Sequence, residues 1–163
     1  MVVAAELLES IPYLAVLPPQ VRESLGSVMF EKAVSKNEVL LWEGEPGNAL
    51  YIVSTGRVKI FRTSAEGKEQ VLRIMHPGDS FNEVPVFDGG TNPASAMAMD
   101  DSIVYGIRRE EIQRILQNYP QVSVNIIRML SRRLRELISL VEDLSFRHVT
   151  ARLAKILLEN AVE

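Results

Sequence analysis

The sequence contains no cysteine, only two histidines and a single tryptophan in 163 residues. The absence of cysteine excludes disulfides, thiolate zinc sites, cysteine-ligated iron–sulfur clusters and thiol nucleophiles, and with them redox sensing through sulfur. Two histidines, His76 and His148, are too few for the multi-histidine metal site of a β-barrel enzyme. No nucleophile elbow, P-loop or paired-carboxylate pattern is present either. The sequence therefore predicts a protein that is not an enzyme.

Long apolar runs and an excess of positive charge are also missing. No stretch approaches the roughly 18 apolar residues that a membrane-spanning helix needs, and the first residues lack the basic lead of a signal peptide. We therefore expect a cytoplasmic protein with no membrane segment. Eighteen Lys and Arg oppose 21 Asp and Glu, which is not the charge balance of a domain that grips nucleic acid by itself.

What is present is the composition of a globular domain. Hydrophobic residues make up 47% of the chain and charged residues 24%, and a chain of this length can bury its own core. The sequence predicts two short N-terminal helices, and Pro18 and Pro19 mark the start of the second. From about residue 28 to 108, short apolar runs alternate with turn signals roughly every eight to twelve residues, which is typical of a β-sandwich or roll. The predicted strands are 39–42, 49–54, 57–62, 70–75, 94–99 and 102–107.

Two glycines in this β region stand where tight turns require a positive φ. Gly56 lies between the second and third predicted strands, and Gly67 lies between the third and fourth. Positive φ is the usual requirement of a two-residue hairpin loop. We therefore predict a β-hairpin at each of these glycines.

After residue 109 the period becomes helical. Ile112, Ile115 and Leu116 mark a short helix, and Pro120 begins a long one. A helix over 120–144 would be about 37 Å long at 1.5 Å per residue, too long for the β core to cover. Its apolar residues recur in steps of three and four, as in a coiled-coil seam that faces a second copy of the chain. The predicted seam residues are Ile127, Leu130, Leu134, Leu137, Val141 and Leu144.

The last residues are predicted to form a separate helix. Ser145 can cap it, and its apolar face continues to Ala161 through Val149, Leu153, Ile156 and Leu157. The predicted organisation is a β domain with N-terminal helices over 1–118, a dimerisation helix over 119–145, and the start of a further domain over 146–163.

Three strings resemble the effector domain of the Crp/Fnr family of bacterial transcription regulators, whose sensory module has the cyclic-nucleotide-binding fold. They are LWEGEPGNALYIVSTGRVKIFR (41–62), PGDSFNEVPVFDGGTNPASAMA (77–98) and RRLRELISLVEDLSFRHVTARLAKILLENA (132–161). The resemblance implies a mainly β jelly roll, or double-stranded β-helix, with flanking α-helices and a long dimerisation helix. It also implies a homodimer that contacts DNA only through a winged helix-turn-helix domain, which this sequence lacks.

The second string resembles the phosphate-binding cassette of that family. The resemblance implies an effector pocket that also receives two residues from the long helix. The residues implied are Phe81, Asn82, Glu83, Val84, Ala94, Ser95, Ala96, Arg133 and Ile138. Asn82 stands where glycine is usual, a mild change because asparagine tolerates left-handed backbone. Arg133 matches a helix arginine near the cassette acid, so it either forms a structural ion pair with Glu83 or reaches an anion.

The cassette departs from the family where the phosphate would bind. Pro93 is aligned with the family's phosphate-binding arginine, and Ala94 with a hydroxyl residue. Leu137 and Ile138 replace the Thr-Ser pair that contacts the base in cyclic-AMP-responsive members. A charge-assisted bidentate contact contributes about 2–3 kcal/mol, so we expect ordinary cyclic AMP not to be the effector.

The effector itself is not identified by the sequence. One alternative is a cyclic-nucleotide-type regulatory module in a signalling protein that does not bind DNA. Another is a haem-based gas sensor, in which His76 or His148 would ligate the iron. A domain that binds no ligand and acts through its abundance is the third.

Overall fold

The computed structural model describes residues 2–159, including the side chains of residues 6–141. The helices are α1 (Val2–Glu9), α2 (Pro19–Val28), α3 (Glu83–Asp88), α4 (Arg109–Asn118) and α5 (Pro120–Glu159). The strands are β1 (Phe30–Val34), β2 (Val39–Leu41), β3 (Ala49–Thr55), β4 (Val58–Thr63), β5 (Glu69–Met75), β6 (Ser80–Phe81), β7 (Ser95–Ala98) and β8 (Ser102–Arg108). The chain forms two compact units, divided after Ser123.

The eight strands form two antiparallel four-stranded sheets. The first sheet has the order β1-β8-β3-β6, and the second has the order β2-β7-β4-β5. Consecutive strands are repeatedly placed in different sheets, as expected when a chain winds into a jelly roll. This confirms the predicted mainly β jelly roll with flanking helices and a long C-terminal helix.

The core of the first unit lies between the two sheets. Its central cluster combines buried side chains of the first sheet with buried side chains of the second, namely Val53, Val58, Met75, Phe81, Ala96 and Val104. Alternation places Val58 and Ile60 of β4 on the same side, and Ile60 packs against this cluster. The N-terminal segment adds a second buried group through Leu8, Ile11, Tyr13, Leu14 and Leu17.

The two predicted hairpins have different outcomes. Gly67 (φ +81°) joins β4 to its antiparallel neighbour β5, so this hairpin is confirmed. Gly56 has the expected positive φ of 78°, but the hairpin predicted there is wrong. Strand β3 pairs with β6 and β8, whereas β4 pairs with β5 and β7. The turn at Gly56 therefore carries the chain from one sheet to the other.

The C-terminal part also differs from the prediction. Helix α5 runs unbroken from Pro120 to Glu159, so Ser145 does not begin a separate helix. The physical reason is that no proline or glycine follows Pro120 in this segment to interrupt the backbone hydrogen bonds. The side chains predicted to form the last apolar face, together with Leu144 and His148, lie outside the described residues, as does Ala161 altogether. None of the helices described between residues 2 and 159 is long and apolar enough to cross a membrane.

Candidate functional site

The predicted cassette begins where β6 turns into α3. Asn82 occupies the left-handed region (φ 66°, ψ 31°) directly before the helix, which asparagine tolerates better than most residues. Its Nδ2 donates a hydrogen bond to the carbonyl oxygen of Ala49 over 3.1 Å. The turn into α3 is thereby tied to the first residue of β3.

The acidic residue of the cassette is enclosed by protein. Glu83 is only 6% exposed, and its Oε1 accepts a hydrogen bond from Ser80 Oγ over 2.8 Å. A buried carboxylate needs such a partner because desolvation penalises an unpaired charge. The next residue, Val84, is 47% exposed and points away from the core.

Phe81 contributes to the core of the roll. It is buried in the central cluster, and its ring stacks on Tyr51 with centroids 5.5 Å apart. Burial raises the pKa of the Tyr51 hydroxyl, because the phenolate form is disfavoured away from water. The stacked pair of rings therefore lies directly before the turn at Asn82 where α3 begins.

A staple centred on Asn92 holds the other end of the cassette. The Asn92 backbone N–H donates to the Glu45 carbonyl (2.8 Å), and its own carbonyl accepts from the Gly44 N–H (2.9 Å). The side-chain Nδ2 donates to the Trp42 carbonyl over 3.0 Å. Because Asn92 is only 2% exposed, these bonds fix residues 90–92 against the 42–47 loop.

Gly47 allows the same loop to approach α3 closely. A Cβ atom at this position would lie 2.1 Å from Pro85 Cβ and 3.1 Å from Asn92 Oδ1. Only glycine leaves room for that contact. Neither Gly47 nor Asn92 was among the predicted site residues, although the family-like string at 41–62 contains the glycine.

The polar residue of strand β7 is also engaged within the protein. Ser95 Oγ accepts a hydrogen bond from the Glu43 backbone N–H over 3.0 Å, and Ala94 and Ala96 beside it are buried. Pro93 is exposed, so the inward-pointing side chain of this turn belongs to Asn92. No residue of the string TNPASAMAM (91–99) is basic. The cassette therefore lacks a cation whether Pro93 or Asn92 is taken as the counterpart of the family's arginine.

The Asn92 staple gives a first prediction. Replacing Asn92 with alanine should lower the free energy of unfolding by about 1–2 kcal/mol, because the buried side chain of Asn92 is lost together with its hydrogen bond to the Trp42 carbonyl. Urea denaturation followed by circular dichroism measures this. Thr91→Ala is the matched control, since the Thr91 side chain is exposed, and it should change the stability by less than about 0.5 kcal/mol. Equal stability of the two variants would show that the staple contributes nothing.

The remaining predicted site residues lie on α5, in the second unit. Arg133 is partly buried and Ile138 is 51% exposed, and their place in the effector pocket stays a prediction. The described seam residues all lie exposed on this helix, namely Ile127, Leu130, Leu134, Leu137 and Val141. Exposure of apolar side chains at a heptad spacing is typical of a helix that packs against a partner.

The surroundings of His76 do not indicate a metal or haem site, and the side chain of His148 lies outside the described residues. His76 is exposed in the turn before β6, and its backbone N–H donates to Asp79 Oδ2 over 2.8 Å. Within the described part of the chain, no three acidic or histidine side chains are grouped closely enough to hold a metal ion.

Comparison with protein families decides the relationship. Residues 31–119 match the model of the cyclic nucleotide-binding domain. The chain belongs to the cyclic nucleotide-binding domain family. A curated relative of this domain is the CRP-like cAMP-activated global transcriptional regulator of Mycobacterium tuberculosis, which is 39% identical over 73% of this chain and 53% of its own length.

Solved structures support the same relationship. The catabolite activator protein of Thermus thermophilus is similar to this domain with a TM-score of 0.74 and 32% identity, over 83% of this chain and 63% of that one. The sensor domain of the transcriptional regulator DNR from Pseudomonas aeruginosa gives a TM-score of 0.77 and 28% identity, over 84% and 92%. These similarities confirm the predicted resemblance to Crp-type regulators. The domain spans about half the length of the mycobacterial relative.

Proposed function

We propose that this domain is the sensory and dimerisation part of a Crp/Fnr-type transcription regulator in the cytoplasm. It is not an enzyme; its output is the geometry of a homodimer whose DNA contacts are made by a separate domain. The similarity to regulators and the apolar face of α5 support this proposal. The effector differs from ordinary cyclic AMP because the cassette has no cation for a phosphate.

The proposed dimer is inferred from the apolar face of α5. Ile127 and Val141 occupy a positions on either side of Leu134, and leucines occupy the described d positions, a pattern that favours a coiled coil of two helices. Monomeric proteins seldom expose a contiguous apolar stripe of this length. A second copy of the same helix supplies the complementary stripe, as in a two-fold symmetric interface.

The cassette supports an effector other than a cyclic nucleotide. Its polar side chains already have partners within the protein, since Glu83 bonds Ser80 and Ser95 bonds the Glu43 backbone. A cyclic phosphate would find no guanidinium from residues 91–99. An effector acts by binding one dimer geometry more tightly than the other. A weakly bound nucleotide does not provide this difference in affinity.

Titration with cyclic AMP tests the effector statement. Isothermal calorimetry of the purified domain should give a dissociation constant about 30- to 150-fold higher than that of a cassette with the cation, since loss of the cation costs about 2–3 kcal/mol. The mycobacterial relative, named as cAMP-activated, serves as the positive control under the same conditions. Micromolar binding of cyclic AMP would overturn this part of the proposal.

A further inference from the structure

Strand β5 carries a cation on the side of the sheet that faces the core. Met75 is buried in the central cluster, and Arg73 lies two residues before it, on the same side of the strand. The register agrees, because Arg73 is opposite Ile60, which packs against that cluster. Directly opposite residues of an antiparallel pair share a face. Arg73 therefore belongs to the core-facing side of β5.

This side of the sheet is open to solvent at β5. Arg73 is exposed, although it lies on the same side of the strand as the buried Met75. The pairing skips Leu72 between Val71 and Arg73, which is the pattern of a β-bulge. Among the side chains that the structure describes, no carboxylate lies within ion-pair distance of Arg73. Lys59 and Arg62 of the same hairpin, by contrast, are paired with Glu69 and Glu43.

An apolar row leads from Arg73 to the cassette strand. Arg73 is opposite Ile60, Ile60 is opposite Ala96, and Ala96 is opposite Leu41. Neighbouring strands are about 4.8 Å apart, so Ile60 alone separates Arg73 from β7, the strand that follows the Asn92 staple. Ile60 offers apolar contact, and at the end of the row Arg73 offers a guanidinium that has no ion-pair partner among the described side chains.

We infer that the effector is a small molecule with an apolar body and one anionic group, and that Arg73 pairs with this group. Guanidinium is well suited to a carboxylate or a phosphate, which it can hold through two parallel hydrogen bonds. The anion is then recognised from β5, whereas the cassette supplies no cation for it. This inference rests on the proposed role of the domain as an effector-binding sensor.

Methyl-labelled NMR with simple probes tests the inference. In the intact domain, octanoate and octyl phosphate should shift the methyl signals of Ile60, and the neutral octanamide should bind about tenfold more weakly. Arg73→Ala should reduce octanoate binding to the level of octanamide, and Arg73→Lys should retain part of it. The response to the carboxylate and to the phosphate probe tells which anion the site prefers.

Lys68→Ala is the matched control, because it removes one positive charge from the turn of the same hairpin. It should leave octanoate binding unchanged, and the amide spectrum of each variant checks that the domain is folded. The inference fails if octanoate and octanamide bind equally, if Arg73→Ala has no effect, or if only methyl groups of α5 respond. A failure of this kind would leave the dimer and the weak cyclic AMP binding intact, since those are measured separately.

Discussion

Leu134→Arg is expected to convert the dimer into monomers while the jelly roll remains folded. Leu134 is 59% exposed in the single chain and lies at the central a position of the seam, where it would face its own copy. Two arginines at this point would be desolvated side by side without carboxylate partners, which costs several kcal/mol. A loss of about 4 kcal/mol weakens dimerisation roughly a thousandfold. Sedimentation velocity from about 1 to 100 μM measures the change.

Ser139→Arg is the matched control for this experiment. Ser139 is exposed on the same helix but occupies an f position, on the side opposite the seam. This variant should sediment as the wild type does, and both variants should keep the β-sheet circular dichroism of the roll. A dimer of unchanged affinity in Leu134→Arg would mean that α5 is not the interface.

Gly56→Ala is expected to lower the free energy of unfolding by about 3 kcal/mol or more. Two costs add here, the first being roughly 1–2 kcal/mol for a side chain at positive φ. The second is overpacking, typically about 1–3 kcal/mol, because the new Cβ would lie 2.1 Å from Ser102 Oγ and 2.8 Å from the Asp101 carbonyl oxygen. A backbone oxygen cannot rotate away as a side chain can. Urea denaturation of both proteins gives the difference.

Gly67→Ala separates the two costs. Its φ of +81° is close to the +78° of Gly56, but nothing lies within 4 Å of the added Cβ. Only the backbone strain remains, so a loss of about 1 kcal/mol is expected. If the two alanine variants were equally stable, the close approach between the Gly56 turn and the Asp101–Ser102 backbone would be energetically irrelevant.

The strands with strong apolar runs could be predicted from the sequence, and two others could not. Predicted strand 102–107 is observed as Ser102–Arg108, since alternation and flanking turns define it locally. Strand β6 has only two residues, and it exists because Tyr51 and Ile52 of β3 pair with it. Strand β1 similarly depends on β8, some 70 residues later. Pairing over such distances leaves no local signal.

The same limit applies to the candidate site. The left-handed backbone at Asn82 could be expected from its residue type and from the glycine that it replaces. The inward position of Asn92 could not, because the 42–47 loop decides which side chain of the 91–94 turn is enclosed. The place of Arg73 could not be predicted for a related reason, because the face of β5 on which it lies follows from its pairing with Ile60. The prediction that the cassette lacks a cation could be made because the string 77–98, which resembles the family cassette, contains no basic residue.

The unbroken course of α5 has a mechanical consequence. Forty helical residues make a rod about 60 Å long. A tilt of only about 10° at the base of such a rod displaces its tip by about 10 Å. Any structure attached to the tip would thus be displaced by about 10 Å when the base of the helix tilts by only about 10°.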